Sequence, residues 1–211
     1  MVPDRSMRRG RGRPPGPPVD VERRRELLLD AAERAVRRRG SDVGLAEVAA
    51  EAGLTRSAVY AAFRARDPLI DALAARHSRV IVERLSTVLA AVSDPREQTR
   101  AAIDILAAWF DDEPHLARLL MRRLNRAGAD DSGGVVVTAV AAALRDGFVR
   151  RGRAPVAAQT WAHALVGAVS ATVGWWATSR SVTRAELVDQ LTDLVWSGFA
   201  GVDDADSGTA P

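Results

Sequence analysis

The nineteen residues LAEVAAEAGLTRSAVYAAF, at 45–63, constrain the fold more tightly than any other stretch of the chain. They read as two short helices joined by a tight turn. Val48 and Ala52 stand four apart and define the inner face of the first helix. Ala49 is small where the second helix crosses close by. Gly53 has access to the left-handed backbone angle that ends a helix. Thr55 is a natural N-cap, because its hydroxyl can accept from an amide of the next turn. Val59 is an apolar plug that turns the second helix back to the core. Ala49, Gly53 and Val59 stand at the spacing of a DNA-reading helix-turn-helix. The exposed start of its second helix, Thr55–Arg56–Ser57, then points into the major groove.

The motif runs on into RARDPLIDAL at 64–73. Tyr60 stands near the end of the second helix, Phe63 follows three residues on, and Arg66 opens the next helix. This pattern resembles the TetR family of bacterial transcriptional regulators, strongly over about residues 22–76 and loosely over 155–200. The resemblance implies an all-α fold of about nine helices. A helix-turn-helix head is expected at 19–66 and an effector-binding and dimerisation body at 67–201. A basic arm at 1–18 and a tail at 202–211 flank them, both expected to be disordered from their composition.

The chain has 211 residues, 47% of them apolar, which is enough for a sizeable core. It has no cysteine, so disulfide and thiolate chemistry are excluded. The basic start is followed by Gly/Pro-rich sequence instead of an apolar core, so no secretory leader is expected. All 30 cationic residues are Arg. Coding bias accounts for this, while Arg also suits phosphate and guanine recognition. Charge is split along the chain. Residues 1–79 hold 17 Arg against 11 acids, net +6, and the remainder is net −3. One end therefore faces DNA.

Caps and periodicity place the other helices. Asp20 caps a first helix at about 20–39, ended by Gly40. Asp67-Pro68 is expected to open a long helix to about 92, with Asp67 as cap and Pro68 at its first position. Asp94-Pro95-Arg96-Glu97 opens the next, to about Phe110. DDEP at 111–114 is read as a break, 115–126 as a helix, and 127–134 as a loop. Val135–Val137 alone reads as a strand, but Val136, Val140, Leu144 and Phe148 continue at helical spacing, so a helix to 149 is expected. Pro155 opens a helix to about 179, and the capping box Thr183–Glu186 opens the last, to about 200. The run from Trp161 to Ala177 is nearly all apolar. It is too short for a membrane span, so a helix buried on all sides is expected.

Candidate site residues follow. Arg56 can donate two hydrogen bonds to a guanine, and Thr55 and Ser57 can touch base edges. The resemblance implies that Tyr60 gives its hydroxyl to a phosphate and that Arg66 contacts the DNA backbone, with Arg64 beside it. Gly44, Ala46 and Ala62 depart from the family's frequent polar residues, and each removes a phosphate contact. Arg11-Gly12-Arg13-Pro14 looks like the core of a minor-groove hook, so Arg11 and Arg13 are candidates for minor-groove or phosphate binding.

The resemblance further implies a homodimer whose last two helices pair across a two-fold axis. Trp175, Trp176, Leu187, Leu191, Leu194 and Trp196 are the expected anchors, with an intrachain core as the other reading. It implies an effector pocket in the body, for which Leu106, Trp109, Phe110, Leu116, Leu120 and Met121 are the candidates. Such a lining prefers a small hydrophobic or aromatic ligand.

The expected partners are double-stranded DNA, a second copy and this effector. No membrane, cofactor or metal is expected, and the site of action is the cytoplasm. The three His are scattered and no nucleophile elbow or phosphate loop occurs, so no enzyme is expected. The function expected is a repressor released from a palindromic operator by its ligand. An architectural DNA binder led by the basic arm is the alternative.

Overall fold

Glycine stops and side-chain caps punctuate the chain where the sequence places them. The computed structural model describes residues 21–127 and 133–198, which form nine α-helices, one 3-10 turn and no strand. Arg11, Arg13 and Asp20, the arm at 1–18 and the tail at 202–211 lie outside the described residues.

The first helix, α1 (Val21–Arg39), buries Leu28, Leu29, Ala31, Ala32, Ala35 and Val36 along one face. It ends at Gly40, φ +81°. Then come α2 (Leu45–Ala52) and α3 (Arg56–Ala62). Between them Gly53 sits at φ +65°, and the Leu54 amide donates to the Ala49 carbonyl at 3.0 Å. That geometry satisfies the loose carbonyls at the end of α2 and turns the chain sharply. Thr55 caps α3, its Oγ1 accepting from the Ala58 amide at 3.3 Å.

A 26-residue helix, α4 (Arg66–Ala91), leaves the head. It begins one residue before the expected cap. Ala65 is the N-cap, Asp67 is already helical, and Pro68 is the third helical residue. First-turn amides have no acceptor within the helix, so proline fits there as well as at the first position. The next helix, α5 (Pro95–Asp112), starts where expected, with Asp94 Oδ2 accepting from the Glu97 amide at 3.0 Å. It runs through Asp111 and Asp112, so the DDEP break narrows to Glu113 alone, at φ −132° and ψ 57°. Pro114 then opens α6 (Pro114–Ala127).

Val135–Val137 are helical, within α7 (Gly133–Arg150), which starts inside the expected loop. A 3-10 turn at Pro155–Ala157 leads into α8 (Ala158–Ser179). Thr183 opens α9 (Arg184–Ser197) through the expected capping box: its Oγ1 accepts from the Glu186 amide at 3.2 Å, and Glu186 Oε2 accepts from the Thr183 amide at 2.7 Å.

The core is continuous from head to body. Leu28, Val48, Val59 and Phe63 in the head join Leu69, Leu73, Phe110, Leu116 and Leu120 at the waist, then Trp176, Leu187 and Leu191. A smaller cluster of Val137, Ala141 and Ala162 sits between α7 and α8. Burying one such large side chain is worth roughly 1.5–3 kcal/mol. In the body α5 packs on α9, and α7 on α8.

Within the single chain only one side of α8 is buried: Ala158, Ala162, Val173 and Trp176 face inward. Trp161, Ala164, Gly167, Ala168, Ala171 and Trp175 form an exposed apolar stripe. Alanine and glycine offer little area to bury, so leaving them outside costs the single chain little. Among the described residues, no helix is long and apolar enough to cross a membrane.

Candidate nucleic-acid interface

Two apolar pegs fix the roll of α3. Val59 is fully buried, and Phe63, at the helix end, is 1% exposed. With those turned inward, Arg56, Ser57, Tyr60 and Ala61 share the outer face, and Arg64 is exposed just past the helix end. Spacings of one, four and five residues from Arg56 are those of one helical face. Tyr60 is 53% exposed, although aromatic rings are otherwise rare on this surface, so its hydroxyl stands free for a polar partner. Thr55 also lies at this surface, but its Oγ1 is engaged by the Ala58 amide and lies 3.0 Å from Ser57 Oγ. The cap thus holds both hydroxyls at the start of the helix.

Arg66, expected at the DNA backbone, is occupied differently. Its Nε donates to the Val43 carbonyl at 2.8 Å and its Nη2 to the Ser41 carbonyl at 2.6 Å. It ties the start of α4 to the turn between α1 and α2, and so sets how the two head helices sit. Arg64 remains exposed. Two further supports had no sequence signal beyond residue type. The Arg25 guanidinium lies 4.5 Å above the Phe63 ring, a cation–π contact joining the start of α1 to the end of α3. Arg34 and Arg38 both pair with Glu51, locking α1 to α2.

The departures from the family pattern gain local reasons. At Gly44 the amide donates to Glu47 Oε2 at 3.0 Å, so the acid supplies the cap that glycine lacks. Hydrogen bonds from the Glu47 and Gly44 amides, then the charges of Arg39 and Arg56, hold the Glu47 carboxyl below its usual range. Ala62 is partly buried and packs against the core.

The junction between head and body is a charged network. Arg37 on α1 pairs with Glu113, at the α5–α6 break, and with Glu33. Arg76 on α4 donates to Asp30 Oδ1 at 2.6 Å, and His77 Nε2 lies 3.2 Å from Glu33 Oε1. Burial alone pushes the Glu33 carboxyl up. The His77 hydrogen bond and the charges of His77, Arg76 and Arg37 outweigh it and hold that carboxyl below its ordinary value.

Beside this network a cleft of about 350 Å³ opens between α4 and α5. Glu33, Arg76, His77 and Trp109 line one end, Val80, Ile81 and Ile105 its middle, and Arg84 the other end. Of the six expected effector residues only Trp109 lines it. Phe110, Leu116 and Leu120 are fully buried in the core, and Leu106 and Met121 pack against them. The apolar lining read from sequence is therefore core, and the cleft is half polar. The missed residues carried a signal: Arg76, His77, Val80, Ile81 and Arg84 share one face of α4. Trp109 is 8% exposed, and its indole N–H is sealed from solvent with no acceptor. Such an unmet buried donor costs about 1–3 kcal/mol. A second hollow of about 410 Å³ under the α1–α2 turn holds His115, Arg39 and Arg118.

The six expected dimer anchors divide. Trp176, Leu187 and Leu191 are 1%, 2% and 5% exposed and belong to the intrachain core, which corrects their assignment to an interface. Trp176 is fixed there by its N–H, which donates to the Val182 carbonyl at 2.8 Å. Trp175, Leu194 and Trp196 are 55%, 51% and 47% exposed. Trp175 continues the α8 stripe of small residues.

Comparison with known proteins agrees with this layout. Residues 28–73 match the model described as bacterial regulatory proteins, tetR family, and residues 84–210 match the tetracyclin repressor-like C-terminal domain. An uncharacterized HTH-type transcriptional regulator of Mycobacterium tuberculosis H37Rv is 28% identical over 189 residues, 88% of this chain and 80% of its own length. The fold is similar to that of FadR from Bacillus subtilis, solved in complex with stearoyl-CoA, with TM-score 0.67, 16% identity and coverage of 82% and 98%. It is equally similar to FadR from Thermus thermophilus, a repressor solved with lauroyl-CoA, with TM-score 0.67, 18% identity and coverage of 82% and 94%.

Proposed function

The chain belongs to the TetR family of bacterial transcriptional regulators, and from that premise we propose that it is a homodimeric repressor released from a palindromic operator by a small ligand. The head at 19–66 reads DNA, and the body at 67–201 binds the ligand and the second copy, in the cytoplasm. The observation that carries the reading is the face of α3. Arg56, Ser57 and Tyr60 are turned outward because Val59 and Phe63 are buried behind them.

Arg56, Thr55 and Ser57 reach base edges, while Tyr60 and Arg64 reach phosphates. Arg66 serves as a positioning residue. Arg11 and Arg13 add phosphate or minor-groove contacts. Two such heads meet major-groove faces about 34–36 Å apart on the palindrome. Trp175, Leu194 and Trp196, flanking the small residues of α8, are the proposed interface.

The ligand acts by changing the angle between α4 and the head. The fold neighbours solved with acyl-CoA compounds support a ligand-responsive body, and a coupling of about 1–3 kcal/mol suffices for a switch.

Selection of random duplex DNA on the purified protein at near-physiological salt tests the reading. A palindrome with two half-sites is the expected product. Enrichment of AT-rich DNA without symmetry overturns it and favours an architectural protein led by the arm.

A further inference from the structure

We propose that the cleft between α4 and α5 binds an aromatic carboxylate carrying a second oxygen at the far end of its rings, and that binding breaks one of the links between α1 and α4. The second half rests on the repressor reading above, and the first does not.

The binding half follows from what the cleft leaves unmet. Trp109 holds a buried N–H without an acceptor. Its indole faces the His77 ring, with centroids 5.7 Å apart and planes 31° apart. Ile81 and Ile105 form the apolar middle of the cleft. Arg76 is committed to Asp30, but Arg84 has no ion pair among the described residues. It stands two turns beyond His77 on the same face of α4, roughly 10.5 Å along the axis.

The complementary molecule is therefore flat and apolar in the middle, anionic at one end and an acceptor at the other. Two fused aromatic rings span that separation; one ring does not. A phenolic oxygen at the Trp109 end accepts the indole N–H. Its own O–H donates a hydrogen bond to the carboxylate of Asp112, which also lines the cleft and has no partner among the described residues. The volume of about 350 Å³ lies at the small end of ligand pockets.

The coupling half follows from the seal over the indole N–H. An acceptor reaches it only when a neighbour moves aside, and the His77 ring, tilted against the indole, is the neighbour that also lines the cleft. His77 is also bonded to Glu33 on α1 at 3.2 Å. Turning the ring toward a ligand breaks this link and leaves the Arg76 pairs with Asp30 and Glu33 to hold α1 on α4, so the ligand prefers the conformation in which that hold is looser.

The probe is 6-hydroxy-2-naphthoate, titrated by calorimetry into the full chain. The expected result is binding at millimolar concentration or below, with a downfield shift of the Trp109 indole proton in nitrogen-15 spectra. Trp109→Phe weakens it by about tenfold, with little effect on 2-naphthoate, which lacks the hydroxyl. Arg84→Gln weakens both compounds by about tenfold. Arg84 is exposed, so its variant folds even where the Trp109 variant does not. No binding at several millimolar, an unchanged indole resonance at saturation, or equal binding by Arg84→Gln overturns the site. Binding with these variant effects but unchanged operator affinity upholds the site and overturns its coupling to DNA.

Discussion

The guanidinium of Arg37 grips the carboxylate of Glu113 across 76 residues of sequence, with Nε 2.9 Å from Oε1 and 2.8 Å from Oε2. One partner lies in the last turn of α1, in the DNA-reading head. The other is the single residue that separates α5 from α6. Movement at that break therefore reaches the head through a paired contact.

Arg37→Gln tests the contact. Arg37 is 44% exposed, so solvent screening limits the stability loss to less than about 1 kcal/mol. The larger effect is local. Amide hydrogen exchange in the last turns of α1 and α5 becomes faster, while the start of α3 keeps its protection. Unchanged exchange at both helix ends would show that the pair transmits nothing.

Arg66→Ala separates positioning from DNA contact. Losing the bonds to Ser41 and Val43 costs about 2 kcal/mol in urea unfolding, and Arg66→Lys recovers part of it. The salt slope of DNA binding stays as in the parent chain, because no phosphate contact is lost. A slope reduced by about one, with stability intact, returns Arg66 to the phosphate backbone.

Arg56→Ala and Tyr60→Phe act differently on DNA. The first relaxes the preference at one position of each half-site, by about 1–3 kcal/mol against the wrong base. The second weakens all sequences alike. Both side chains are exposed, so unfolding midpoints shift little. Binding titrations on a panel of single-base operator variants distinguish the two patterns.

Ala168→Glu and Trp176→Ala separate interface from core. The first puts charge and bulk on the exposed α8 stripe, and sedimentation is expected to show a folded monomer. The second empties a site that is 1% exposed and costs about 3–5 kcal/mol of stability. Dimers that persist in Ala168→Glu would move the interface elsewhere.

Acid weakens the junction in a defined direction. The Glu33 carboxyl is held below its ordinary value, so its contribution to stability is complete above the unfolded pKa of about 4.5. It is lost as pH falls through the lower folded value. Glu33→Gln makes this acid limb shallower in urea titrations. Glu47 and Glu186 are depressed as well, each by amide hydrogen bonds, so part of the limb remains.

The sequence makes local structure legible wherever one residue decides it. Thr55, Asp94 and Thr183 act as the caps they resemble, and Val59 points inward as its spacing requires. Relations between distant residues are not legible in this way. Arg66 finds its acceptors more than twenty residues away, on carbonyls that no side-chain pattern marks. Trp175 and Trp176 are neighbours of one type, and only the roll of α8 sends one outward and the other into the core. The cleft is hidden because its charged walls, Glu33 on α1, Arg76 and Arg84 on α4 and Asp112 on α5, resemble solvated surface when read singly.

Gly53 carries a constraint of a different kind. A Cβ added there meets nothing within 4 Å, yet φ is +65°. The turn before the reading helix therefore filters substitutions by handedness and not by bulk. Asparagine, which visits left-handed angles readily, is the tolerable replacement, while valine fails despite the open space. Drift at this position is confined to side chains that accept the mirror-hand backbone, whatever operator the neighbouring residues come to read.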